Sequence, residues 1–206
     1  MTDEALKNGY YVLPPGKLAN VVTCLEMRTR PSLRGHGFAQ GFELKPADRS
    51  DLAAHRALFD RVGRDLMWFS RLIMPDETLS AILADPDYAP YVLTQDSVPV
   101  GMLDLDFRIA DECELAFFGL APSAIGTGAG AALMDAAIAL AWARPISRFW
   151  VHTCTYDHPA ALGFYQRTGF KPYQFMVEVH DDPRLTGYLP RDASPQVPLV
   201  EPQGTR

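Results

Sequence analysis

The run Gly126-Thr127-Gly128-Ala129-Gly130-Ala131 is the stretch of this chain most open to a chemical reading. Glycine has no Cβ, so backbone N–H groups there can come close to a ligand. A helix opening at such a run presents about four unbonded N–H groups and a partial positive charge. Together these make a site for an anion, a pyrophosphate above all. The bland alternative is tight packing of a helix on a sheet, which also needs small side chains. Gly126, Gly128 and Ala131 also fit G-x-G-x-x-A, a dinucleotide fingerprint. That motif belongs after the first strand of a βαβ unit, however, and three strands precede it here. The acidic residue expected ~20 positions on is missing, since His152 and Thr153 stand there. No G-x-x-x-x-G-K-[ST] occurs, which excludes a P-loop.

A second group is His152, Cys154, Asp157 and His158. Strand alternation puts His152 and Cys154 on one face. No C-x-x-C or H-x-x-x-H spacing accompanies them, so no metal site is expected. Cys154 beside His152 could act as a nucleophile, but a cysteine in a buried strand is more often a small hydrophobe.

The elements that must hold these residues follow from pattern. Ala19 to Met27 reads as a strand, punctuated by Pro14-Pro15-Gly16 before it and Pro31, Gly35 and Gly37 after. Phe42-Glu43-Leu44 is a short strand. Asp48 or Ser50 caps a helix with Leu52, Leu58, Phe59 and Val62 on its apolar side. A second helix opens at Pro75-Asp76-Glu77, where acidic side chains suit the dipole, and reaches Leu83. Tyr91–Thr94, Val98–Phe107 and Cys113–Leu120 form a meander whose short turns demand antiparallel pairing. A helix over Thr127–Trp142 follows, then a strand over Arg148–Thr155 and a helix over Pro159–Thr168 closed by Gly169. A last strand covers Tyr173–Val179. The strands at 113–120 and 148–155 are joined through a helix, so they run parallel, and the loop opening that helix is the glycine run.

The chain has 206 residues, of which 48% are hydrophobic and 21% charged, which suits one domain with a real core. It divides into an extension over 1–41 with one strand, a main domain over 42–180, and a tail over 181–206 with five prolines. No stretch supplies the ~20 apolar residues of a membrane span, and the N-terminus does not read as a secretory signal. Three cysteines, odd in number and widely spaced, argue for a reducing, cytoplasmic setting. The formal net charge of −6, without a Lys/Arg cluster, argues against nucleic-acid binding. The extra N-terminal strand could offer an uncovered edge, and so a route to a homodimer.

Leu120-Ala121-Pro122, Gly126-Thr127-Gly128-Ala129-Gly130 and Leu133 resemble the acetyl-CoA loop of GNAT acetyltransferases, roughly V-x-P-x-x-[RQ]-G-x-G-x-[GA]-x-x-L. Ile125 stands where that family usually has Arg or Gln. Downstream, His158 through Phe170 is similar to the family's N-x-x-A-x-x-[FL]-Y-x-x-x-G-F, with Ala161, Phe164, Tyr165, Gly169 and Phe170 in register and His158 in place of Asn. The resemblance covers roughly residues 42–180. It implies an α/β fold: a single GNAT-type domain with a central mixed, mostly antiparallel sheet, a splayed parallel strand pair and helices on both faces.

The activity implied is transfer of an acetyl group from acetyl-CoA to a primary amine, on a small molecule or a peptide. The alternative is a non-catalytic module that binds acyl-CoA as a sensor. By the same resemblance the donor is held at Leu120, Ala121, Ile125, Gly126, Thr127, Gly128, Ala129, Gly130, Ala131, His158 and Tyr165. Tyr165 would protonate the departing thiolate. Glu114, with Glu112 as a rival, would be the base through water, and a backbone N–H near Leu120 would meet the oxyanion. Asp65, Trp68 and Arg71, spaced by three, could line the acceptor pocket, with Trp68 and Arg71 as the binding residues. Against that stands a plain helix with Trp68 buried and the charges solvated.

Overall fold

The computed structural model describes residues 6–202. One seven-stranded sheet organises them, in the order β2-β3-β4-β5-β6-β1-β7. The strands are β1 (Lys17–Met27), β2 (Phe42–Pro46), β3 (Tyr88–Gln95), β4 (Val98–Asp106), β5 (Glu112–Leu120), β6 (Arg148–Cys154) and β7 (Lys171–Asp181). Every neighbouring pair is antiparallel except β5 and β6. The helices are α1 (Leu52–Gly63), α2 (Ser70–Ile73), α3 (Asp76–Ala84), α4 (Ala129–Ala141) and α5 (Ala161–Thr168).

Strand alternation sorts the core onto two faces. Leu103 and Leu105 of β4, Leu115 of β5, Phe149 and Val151 of β6, and Leu25 and Met27 of β1 pack with Leu133, Met134, Ala137, Ile138 and Ala141 of α4 and Tyr165 of α5. On the opposite face, Leu58, Phe59 and Val62 of α1 cover Met102, Val92 and Phe117. Leu79 and Leu83 of α3 pack on Tyr88. Helix α1 starts at Asp51, whose carboxylate accepts from the Ala54 N–H at 2.8 Å, so the cap lies just past the Asp48 and Ser50 expected from sequence. Gly169 ends α5 at φ +111°, as expected of a glycine in that place.

The parallel pair is short. Its register runs only from Glu112↔Arg148 to Glu114↔Trp150, and beyond it the two strands separate. A bulge in β5 at Ala116 accompanies the separation, since Leu105 faces Leu115 while Asp104 faces Phe117.

Strand β1 departs from expectation in its place. It lies inside the sheet, with Val22–Met27 against β6 and Lys17–Glu26 against β7. An interior strand offers no edge, so the proposed route to a dimer through it falls away. The free edges belong to β2 and β7, and β7 exposes Phe175, Val177 and Val179. The Pro-rich tail packs against the rest of the fold as far as it is described. Asp182 and Arg184 are almost fully buried and paired twice, at 2.7 and 3.0 Å, and Arg184 also donates to the Val197 carbonyl at 2.7 Å. Leu189 and Ala193 join Met67 and Tyr156 in a small core. Gln196 donates to the Asp65 carbonyl at 3.1 Å, which ties the tail to the segment after α1.

Candidate active site

The gap between β5 and β6 opens into a cavity of about 1120 Å³. On one lip stands the glycine run. Gly126 (φ +82°) and Gly128 (φ +87°) both hold left-handed backbone, and Gly128 caps α4. A Cβ built on either would meet nothing within 4 Å, so open space lies directly in front of this backbone. Helix α4 has no acidic side chain in its first turn to neutralise its dipole. Leu120, Pro122, Ile125, Gly126, Gly128, Gly130 and Ala131 line the cavity. Ala121 and Ala129 are buried in the core instead, and the Thr127 hydroxyl donates to the Ala124 carbonyl at 2.7 Å, so these three could meet a ligand only through backbone.

Strand β5 presents backbone to the gap as well. Ala121 donates its N–H to Val100 of β4 at 2.7 Å. Alternation along an antiparallel ladder therefore turns the Leu120 and Phe118 amides the other way, toward the gap.

Tyr165 lines the cavity from α5, its ring 5.8 Å from Phe170, 5.9 Å from Phe164 and 6.3 Å from Phe118. Burial, with Asp157 adding, pushes its phenol well above the usual range, so it holds its proton at neutral pH. His158 accepts from the Ala160 N–H at 3.1 Å through Nδ1, fastening the turn into α5, and also faces the cavity.

The foot of the gap carries Glu114 and His152, on the same sheet face, with Oε1 and Nδ1 3.3 Å apart. Hydrogen bonding to Glu114 raises the imidazole above its ordinary value, against the opposing effect of burial. Glu112 sits elsewhere, paired with Arg148 at 3.1 Å and away from the cavity. Asp157 is anchored by the Thr153 hydroxyl at 2.6 Å and the Cys154 N–H at 2.9 Å. Burial and then Asp157 push the Cys154 thiol up to about 11, so it is no thiolate nucleophile at neutral pH. Among the described residues no group of three His, Cys, Asp or Glu side chains is placed to hold a metal ion.

The far wall corrects one expectation. Asp65, Trp68 and Arg71 do not share a helix, because Met67 takes left-handed backbone (φ 59°) and breaks the chain between a single 3-10 turn and α2. Trp68 still lines the cavity. It packs on Phe59 and Phe117 and donates Nε1 to Asp157 at 3.3 Å, a bond across the cavity mouth. Gly119 and Gly63 make room for it: a Cβ on Gly119 would stand 2.4 Å from Val62, and one on Gly63 2.3 Å from the Trp68 Cβ. Arg71 reaches the cavity but is buried, stacked on Phe117 at 5.0 Å and donating to the Tyr88 hydroxyl at 3.1 Å. Tyr88 in turn donates to Asp104 at 2.7 Å, and burial pushes that carboxyl up to about 7. Asn20 of β1 and Glu178 of β7, joined at 2.8 Å, complete the wall. No sequence signal marks these two, because their place depends on β1 entering the sheet between β6 and β7.

Residues 56–170, more than half of the chain, match the sequence profile of the acetyltransferase (GNAT) family. The protein belongs to that family. Solved structures agree on the fold. A conserved protein of unknown function from Staphylococcus epidermidis is 15% identical with a TM-score of 0.58, covering 81% of this chain and 63% of its own. For a GCN5-related N-acetyltransferase from Sphaerobacter thermophilus the values are 14%, 0.58, 81% and 52%. For the ribosomal-protein-alanine N-acetyltransferase of Escherichia coli they are 16%, 0.52, 68% and 94%. The GNAT chain thus spans about half to two thirds of the first two structures. Comparison with curated proteins found no match. No helix among the described residues is long and apolar enough to cross a membrane.

Proposed function

We propose that this GNAT protein transfers an acetyl group from acetyl-CoA to a primary amine, by direct attack through a tetrahedral intermediate. The observation that carries the reading is the separation of β5 from β6. It opens one cavity that has the α4 N-terminus on its lip, Tyr165 in its side and Glu114 at its foot. The positive end of α4 and the glycine backbone before it suit a diphosphate, and the space before Gly126 and Gly128 admits it. An extended donor lying along β5 would find the Phe118 and Leu120 amides turned toward it. One of these serves the oxyanion, a role worth about 3–4 kcal/mol where a single donor has been removed.

The acceptor reaches the gap from the side of Trp68, with Arg71 holding the floor. It arrives as an ammonium with pKa near ~10.4 on the lysine reference, and must lose a proton before nitrogen can attack. Glu114 supplies the carboxylate for that step. When the C–S bond breaks, the electron pair stays on sulfur, and the protonated phenol of Tyr165, which lines the same cavity, donates to it. The acceptor class is an amine of a small molecule or a peptide. Free thiols at Cys24, Cys113 and Cys154 fit a cytoplasmic setting.

The test is incubation with labelled acetyl-CoA and a panel of diamines, amino sugars, amino acids and peptides. Label transferred to any amine, with free CoA released in equal amount, supports the proposal. Tight CoA binding with no transfer across the panel would replace it with a sensor module. Stabilisation by NAD and not by CoA would remove both.

A further inference from the structure

We infer that His152 takes the proton from the acceptor amine, and that Glu114 acts through it as a positioning residue. The inference rests on the acetyl-transfer reading and divides between two residues the step assigned above to Glu114.

Geometry supports the division. β5 and β6 stop pairing at Glu114 and Trp150, and His152 is the next β6 residue on that sheet face. Its Nδ1 lies 3.3 Å from Glu114 Oε1. An imidazole that gives its Nδ1–H to a carboxylate keeps its lone pair on Nε2, at the far side of the ring. The exposures decide which group an acceptor meets. The His152 side chain is 48% open and that of Glu114 21%, within a cavity both line. The imidazole is therefore the more accessible of the two groups to an amine in the cavity.

The charges around the ring agree with that assignment. Glu114 faces it from β5, Asp157 from the loop after β6, and Glu178 from β7. Cys24 lies opposite it on β1, and Cys154 follows it on β6, both with their thiols raised and so uncharged at neutral pH. Trp150, on the same face, is 6.4 Å away. Three carboxylates face the ring, while Arg108 lines the cavity beside Glu114 and Arg148 lies over Trp150, and the carboxylates stabilise the imidazolium formed by proton uptake. The same carboxylates attract the cationic acceptor. The balance is simple. Neutral His152 accepts one proton from R–NH3+. The freed amine forms the C–N bond, and the C–S bond breaks with its electron pair left on sulfur. Tyr165 protonates that sulfur and regains the second proton from the new amide nitrogen, while the imidazolium sheds the first to water.

The test uses the full chain and an amine found active in the panel. His152→Ala should lower kcat about 100-fold or more while calorimetry shows unchanged CoA binding, and added imidazole should restore part of the rate. The acidic limb of kcat/KM in the wild type should lie above pH 6.5 and move down in Glu114→Gln. An NMR titration of the His152 ring should follow the same shift without reference to activity. A His152→Ala enzyme with wild-type kcat and pH profile, or a Glu114→Gln enzyme that leaves the His152 titration in place, overturns the inference while transfer by the wild type stands. Absence of transfer by the wild type itself removes the acetyl-transfer reading, and this one with it.

Discussion

Gly126 and Gly187 allow the phosphate-site reading to be separated from simple strain. Both hold φ +82°, and a Cβ on either would meet nothing within 4 Å. Gly126 lies in front of α4 and lines the cavity; Gly187 lies in the tail and is not among the residues that line it. Alanine in left-handed backbone costs roughly 1–2 kcal/mol, offset by about 0.4–1 kcal/mol from the stiffer unfolded chain. Gly126→Ala and Gly187→Ala should therefore each lose about 0.5–1.5 kcal/mol, which for a chain of this size lowers Tm by roughly 1–6 °C. Binding should part them. In Gly126→Ala the new methyl fills space that a diphosphate needs to reach the backbone. Loss of one charge-assisted hydrogen bond, about 1.5–3 kcal/mol, raises the CoA Kd about 10- to 100-fold. Gly187→Ala should bind CoA as the wild type does. Gly128→Ala, at φ +87° on the cap of α4, should follow Gly126→Ala. Calorimetry with CoA beside thermal unfolding reads both quantities on the same samples. Equal Kd values for all four proteins would refute the argument, because strain alone would then account for these glycines.

Three further outcomes follow from the same structure. Tyr165→Phe keeps the ring in its edge-on contacts with Phe118, Phe164 and Phe170, so CoA binding and Tm should hold while kcat falls about 100-fold; a kcat within about twofold of wild type would remove the acid role. His55 is buried and held down to about 4, by burial first and then by Arg71 and Arg56, so folding favours its neutral form. Its contribution is full above pH 6.5 and fades as pH falls toward 4, about 2 kcal/mol lost between pH 7 and 5. His55→Gln should accordingly show a smaller drop in Tm between those two pH values than the wild type, and equal drops would refute the assignment. Arg184→Leu leaves Asp182 charged and buried without its partner, which should cost about 3–5 kcal/mol; the double replacement with Asp182→Leu should recover most of it, and Tm across the set decides.

What could be read from the residues, and what could not, divides by sequence distance. The meander, the crossover through α4 and the glycine lip depend on local pattern: short turns at Gln95–Val98 and Asp106–Glu112, an apolar stripe along α4, glycine at φ +82° and +87°. Those matched, within about two residues at most boundaries. Strand β1 was legible as a strand and not in its place, since nothing in Val21-Val22-Thr23 specifies that it pairs with Cys154 and Met176, over 120 residues away. The even spacing of Asp65, Trp68 and Arg71 misled because one left-handed residue, Met67, interrupts it. Arg184 in the tail has no local signal at all; its partner two residues back is buried only because the segment folds onto Met67 and Tyr156.

That division bears on specificity. The proposed donor lip is one contiguous stretch, Leu120 to Ala131, and its bonds would come from backbone, so many side-chain changes would leave it intact. The proposed acceptor wall is assembled from Trp68 and Arg71 after α1, Asn20 of β1, Asp157 after β6 and Glu178 of β7, and the tail packs near it through Gln196 and Leu189. Side chains from four parts of the chain line it. Tight anchoring matters more on that side, because an acceptor nitrogen displaced by even ~1 Å from the acyl carbon costs about a hundredfold in rate. The buried Asp182–Arg184 pair anchors the segment against which Met67 and Phe69 rest, on either side of Trp68, and so on the proposed reading it would help hold the indole beside which the acceptor enters.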